Sequence, residues 1–100
     1  MYSLSGYKEF NPGMDFPSMT NFFTPQPYEG LEEIVRYLES GTVTYVSAGV
    51  AKDAFTGERI SGEHTGMTDG EYAWNSSLPY YVRKYNLRLP EVFEKKVLNK

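Results

Sequence analysis

One hundred residues with a net charge of −3 and an isoelectric point near 5.1 describe one domain with a thin core, because a chain this short buries only about 60–65% of the surface it exposes when unfolded. The acidic balance argues against a nucleic-acid binder, whose footprint would be a basic patch, and the absence of cysteine removes disulfides, zinc–thiolate sites and cysteine nucleophiles. Aromatic side chains make up 16% of the chain, and nine of them are tyrosine, a residue that buries its ring and can leave its hydroxyl wet.

The opening MYSLSGYKEF has no apolar signal core, and no apolar run approaches the ~18 residues of a membrane span, so the expectation is a soluble cytoplasmic protein. Residues 1–28 carry Pro12, Pro17, Pro25 and Pro27, which forbid a long helix. Tyr2, Phe10, Met14, Phe16, Met19, Phe22, Phe23 and Tyr28 make the same stretch too apolar for a solvated tail. It reads as an irregular arm packed on the body at 29–100, with a short strand or helical turn around 18–23.

Residues 29–40, EGLEEIVRYLES, place Leu31, Ile34, Val35 and Leu38 on one helical face. Acidic groups crowd the first turn, and Gly41 supplies the stop. TVTYVSAGV at 42–50 is β-branched and aromatic and reads as a strand; neither of its two faces is clearly polar, which suggests burial from both sides. The segment 51–70 is punctuated by Gly57, Gly62, Gly66 and Gly70, with Phe55, Ile60 and Met67 as anchors between turns. Two helices close the chain. Asn75, Ser76 or Ser77 caps the first, Leu78, Tyr81, Val82 and Tyr85 line it, and Asn86 stops it. Pro90 opens the second, with Phe93, Val97 and Val92 on its buried face and Lys95, Lys96 and Lys100 complementing its C-terminal dipole. The expected fold is a small single α+β domain: a short antiparallel sheet, about three helices and the Pro/aromatic arm.

Few residues carry chemistry. His64 is the one histidine, set between glycines in GEHTG and expected on an exposed loop. With Asp53 and Asp69 beside Trp74 it could form an acid/base or ligand site. The competing account is stronger, since Asp53 and Asp69 each sit where an aspartate bonds its own local backbone in a turn. No metal-ligand spacing, phosphate loop or nucleophile elbow is present, so no catalytic residue, metal or cofactor is assigned. Trp74, flanked by Tyr72 and Tyr80, reads first as a core anchor and second as an interface residue.

The run D-G-E-Y-A-W-N-S-S-L-P-Y-Y-V-R-K-Y-N-L-R-L-P-E-V-F at 69–93 resembles a C-terminal signature of small bacterial proteins of unassigned biochemistry, some of them immunity-like proteins of polymorphic toxin systems. Asp69, Gly70, Trp74, Leu78, Tyr81, Val82, Tyr85, Leu89, Pro90 and Phe93 match it. Pro79 departs from it, and the arm has no counterpart. The resemblance spans about a quarter of the chain and implies a non-enzymatic role: binding a protein partner, with inhibition of a toxin as its specific form. The expected contact face is the carboxylate-rich segment with its rings, namely Asp53, Glu58, Glu63, Asp69, Tyr72 and Trp74. A homodimer, through the 42–50 strand at a sheet edge or by exchange of the apolar N-terminal arm, is the further option, and neither nucleic acid nor membrane is an expected partner.

Overall fold

The computed structural model describes residues 2–60, 62 and 64–99. Glu63 and Lys100, both named above, lie outside them. The described residues form an α+β domain of four strands and three α-helices. The strands are β1 (Tyr2–Ser3), β2 (Thr42–Ser47), β3 (His64–Thr68) and β4 (Tyr72–Asn75); the helices are α1 (Leu31–Glu39), α2 (Leu78–Tyr85) and α3 (Glu91–Leu98). The sheet order is β1-β4-β3-β2. It is antiparallel as expected except at one edge, where Tyr2 and Ser3 of the arm pair parallel with Tyr72 and Ala73.

The arm is therefore part of the sheet at its start. It then runs through two 3-10 turns, Lys8–Phe10 and Met19–Phe22. Leu4, Tyr7 and Met19 are buried. Glu9 fixes the second turn by accepting hydrogen bonds from Ser18 Oγ and the Met19 N–H.

α1 buries the four residues that its periodicity selects, Leu31, Ile34, Val35 and Leu38. It starts two residues later than its pattern suggests, because Gly30 adopts a left-handed φ of 87° at the N-cap. A side chain there would also strike Leu98, 2.6 Å from an added Cβ. α2 buries Leu78, Pro79, Tyr81 and Val82, and Asn86 ends it with a left-handed φ of 55°. The expected caps are used differently: Asn75 Oδ1 accepts the Ser77 N–H, while Ser76 Oγ reaches across to the Thr65 N–H of β3. In α3 the buried face is carried by Phe93 and Glu94. Val92, expected on that face, is exposed, because one turn of a short helix can turn only one stripe inward.

The helices cover one face of the sheet. Tyr72 and Trp74 of β4 point to that side, where both rings meet Phe93 edge-on at 5.0 and 6.2 Å. Met67 pairs with Trp74 and shares the face. Ser3, Ala73, Asn75, His64 and Gly66 occupy the opposite side, since neighbouring residues of a strand alternate.

β2 overturns the expectation of burial on both sides. Among the described residues it lies at the sheet edge beside β3, and Thr42 through Val46 are all exposed. Among the described residues, no helix is long and apolar enough to cross a membrane.

Candidate functional site

The six residues expected to form a contact face do not share one. Asp53, Asp69, Tyr72 and Trp74 are turned into the body. Glu58 is exposed and pairs with Lys84, and Glu63 lies outside the described residues.

Asp53 and Asp69 repeat one device. Each uses Oδ1 to accept backbone N–H groups two and three residues on, from Phe55 and Thr56 and from Glu71 and Tyr72 respectively. Each uses Oδ2 to hold a tyrosine and a lysine of distant elements. Asp53 Oδ2 accepts from Tyr80 and Tyr85, both at 2.7 Å, with Lys84 Nζ at 3.5 Å. Asp69 Oδ2 accepts from Tyr37 of α1 and from Lys96 of α3, the latter at 2.8 Å. Burial alone would raise both carboxyl pKa values. At Asp53 the Tyr80, Tyr85 and backbone bonds outweigh it, and at Asp69 the Lys96, Tyr37 and backbone bonds do so, so both lie well below the usual range. The reverse effect falls on Tyr85, which burial and its bond to Asp53 push up to about 12.

These are staples. Asp53, helped by the Ala54 N–H on Tyr81 Oη, ties the turn at 53–57 to α2. Asp69 ties the β3–β4 turn to α1 and α3. Trp74 anchors in the same sense: its indole N–H donates to the Leu38 carbonyl at 3.1 Å, and the ring is 3% exposed. Glu94 is a third buried carboxylate, holding Arg88 and the Leu89 N–H.

His64 is half-buried at the start of β3 rather than on a loop. It lines a cleft of about 540 Å³ on the helix-free side of the sheet. The cleft is bordered by Tyr45 of β2, Asn75 of β4 and Glu9 and Phe10 of the arm, and neither Asp53 nor Asp69 contributes to it. The trio of His64, Asp53 and Asp69 is thus not assembled. Among the described residues no group of three or more His, Asp or Glu side chains is placed to hold a metal.

The surface that the composition concealed is β2 itself. From Thr42 to Val50 the chain has no charged residue. Val43, Tyr45 and Val46 are 52%, 60% and 63% exposed. A β-bulge interrupts its pairing with β3 between Val43 and Tyr45. Thr44 and Tyr45 both lie over Gly66, whose missing side chain leaves room for the tyrosine ring. The signal available in the sequence was the uncharged run; what it lacked was any indication that the strand stays exposed among the described residues.

No protein-family model matches the chain, and the searches of curated proteins and of solved structures gave no significant match.

Proposed function

We propose that this chain is a non-enzymatic protein-interaction domain that meets its partner along the outer edge of β2. The observation that carries the reading is an uncharged six-residue edge strand whose Val43, Tyr45 and Val46 are more than half exposed. An edge strand presents backbone donors and acceptors to any chain that aligns with it, and folded proteins ordinarily blunt such edges with charge or proline. This edge has neither, and its bulge turns away only strands that cannot follow the bend. The carboxylates that suggested an acidic contact face are committed to internal bonds, so the contact surface moves from the 51–74 segment to β2. The signature at 69–93 gives the reading a specific form, an immunity-type inhibitor that covers a toxin surface.

The test is capture of protein partners by the tagged chain from its native host, comparing wild type with Val46→Lys and Glu58→Lys. Loss of a captured partner with Val46→Lys alone supports the reading. A partner retained by Val46→Lys and lost with Glu58→Lys restores the acidic face and removes β2.

A second reading rests on the cleft beside β2, where the side chains of His64 and Tyr45 make no hydrogen bond or ion pair with the described residues. There the domain would bind a small ligand between the imidazole and the phenol. Thermal melting across metals, nucleotides and metabolites tests it, since a ligand at 100 times its Kd adds about 2.7 kcal/mol to stability. The shift must vanish in His64→Ala.

A further inference from the structure

The geometry points to a second copy of this chain as a partner of the β2 edge, paired antiparallel about a two-fold axis between Thr44 and Tyr45. The inference rests on the reading of β2 as the contact edge and adds who occupies it.

The argument begins with the bulge. Val43 faces Met67 and Val46 faces Thr65, so both valines lie on the helix side of the sheet. Thr42 faces Thr68 and Ser47 faces His64, on the open side. Thr44 and Tyr45 both lie over Gly66, with Thr44 Oγ1 and Tyr45 Cε1 2.7 and 2.2 Å from the position of a Cβ there, and so both belong to the open side. Read by face from 42 to 47, the strand runs open, helix, open, open, helix, open. That order is the same in both directions.

A regular strand cannot do this. Its faces alternate strictly, so a two-fold axis passing between two residues would set opposite faces against each other, and paired residues must share a face. With the extra residue, every pair about the Thr44/Tyr45 axis matches: Thr42 with Ser47, Val43 with Val46, Thr44 with Tyr45. A bulge ordinarily protects an edge, because a regular strand cannot follow the bend. A strand carrying the same bulge in the same place can follow it. The feature that turns away generic strands admits this chain's own copy.

Charge permits this. The net charge of −3 opposes self-association only weakly, and the 42–50 contact, neutral throughout, adds no like-charge pair to that. In the pair, the two sheets join into one of eight strands with both helical layers on the same side. The two Val43 and two Val46 side chains meet in the gap between those layers, losing their exposure to water. A six-residue edge is about 20 Å long, so the contact sits at the small end of specific interfaces and the dimer is reversible, with a Kd of roughly 10–100 µM.

Sedimentation equilibrium on the intact chain from about 1 µM to about 1 mM brackets that Kd. The average mass should rise from 11.4 kDa toward twice that value. Val43→Lys and Val46→Glu, both at exposed positions of β2, should each keep the far-ultraviolet circular dichroism of the folded chain and weaken self-association at least tenfold. Mixed together they should associate more tightly than either alone, because Lys at 43 of one chain then faces Glu at 46 of the other. Wild type that stays monomeric throughout overturns the dimer, while the edge as a contact for another protein survives if host capture still depends on Val46. A dimer unaffected by either variant, or a mixture no tighter than its components, overturns the edge or the register respectively.

Discussion

The ring of Tyr45 occupies the space that a side chain at Gly66 would need. A Cβ on Gly66 would stand 2.2 Å from Tyr45 Cε1 and 2.7 Å from Thr44 Oγ1. The demand is for space alone, since Gly66 is not among the glycines with positive φ. Gly66→Ala must therefore push the bulge residues aside, at a cost of about 1–2 kcal/mol. Tyr45→Ala removes the ring contact and leaves Thr44 Oγ1 in place, so the cost of Gly66→Ala should shrink without vanishing in a Tyr45→Ala background. Urea denaturation of the four proteins gives the coupling. A coupling near zero would mean that the ring is not seated over the glycine.

The two aspartate staples should dominate the polar contribution to stability. Asp53→Ala leaves the Tyr80 and Tyr85 hydroxyls and two backbone N–H groups without their acceptor. Bonds to a charged group contribute about 1.5–3 kcal/mol each, though not additively, so a loss of about 3 kcal/mol is expected. That is a large share of the roughly 5–15 kcal/mol available to such a domain. Asp69→Ala should cost somewhat less, about 2 kcal/mol, because it holds one tyrosine where Asp53 holds two and its side chain is less completely buried. The pair shares no bonded partner, so the double variant should show near-additive losses. A loss of less than about 1 kcal/mol for Asp53→Ala, from its denaturant midpoint and slope, would show that the buried network is not formed.

Much of this was legible locally. The α1 face was visible because Leu31, Ile34, Val35 and Leu38 recur with helical spacing, and the α2 stop because Asn86 tolerates a left-handed φ. The turns at Asp53 and Asp69 were visible for the same reason: an aspartate bonds N–H groups two or three residues on. Their burial was not, because Tyr80 reaches Asp53 from 27 residues away and Tyr37 reaches Asp69 from 32. The exposure of β2 was hidden for a different cause. An uncharged β-branched run looks alike whether a sheet encloses it or leaves it at the rim, and only the strand order decides. His64 misled through its flanking glycines, since Gly66 makes room for a ring and does not mark a loop. β1 is two residues long and carries no periodic signal at all.

Stability should fall on acidification through these same carboxylates. Asp53 and Asp69 have folded-state pKa values depressed below the unfolded value near 3.9. A group of that kind binds more protons unfolded than folded in the acid range, so its stabilisation is full above the unfolded pKa and is lost as pH falls through the folded one. The denaturation midpoint should be level near neutrality and decline below about pH 5. Replacing Asp53 and Asp69 together by Asn should flatten most of that decline while lowering the neutral plateau. A double variant with an acid slope as steep as wild type would assign the acid sensitivity elsewhere.

Trp74 allows the core to be followed directly, as it is the single tryptophan of the chain. Its indole is enclosed by Tyr37 and Phe93 and donates to the Leu38 carbonyl. Emission should therefore be blue-shifted in the folded protein and move to the red in one cooperative step on unfolding, coincident with the far-ultraviolet circular dichroism. Trp74→Phe removes the N–H and leaves a void beside Gly41, where Trp74 Cζ2 now stands 2.7 Å from the position of an added Cβ. The loss of the bond and of ring volume should cost about 2–3 kcal/mol. Gly41→Ala is destabilising in wild type because the new methyl meets both the indole and the Thr68 carbonyl. In the Trp74→Phe background the smaller ring relieves the first of these contacts and not the second, so the penalty of Gly41→Ala should shrink without vanishing. An unchanged penalty would place the backbone of Thr68, rather than the indole, as the surface that requires glycine at this position.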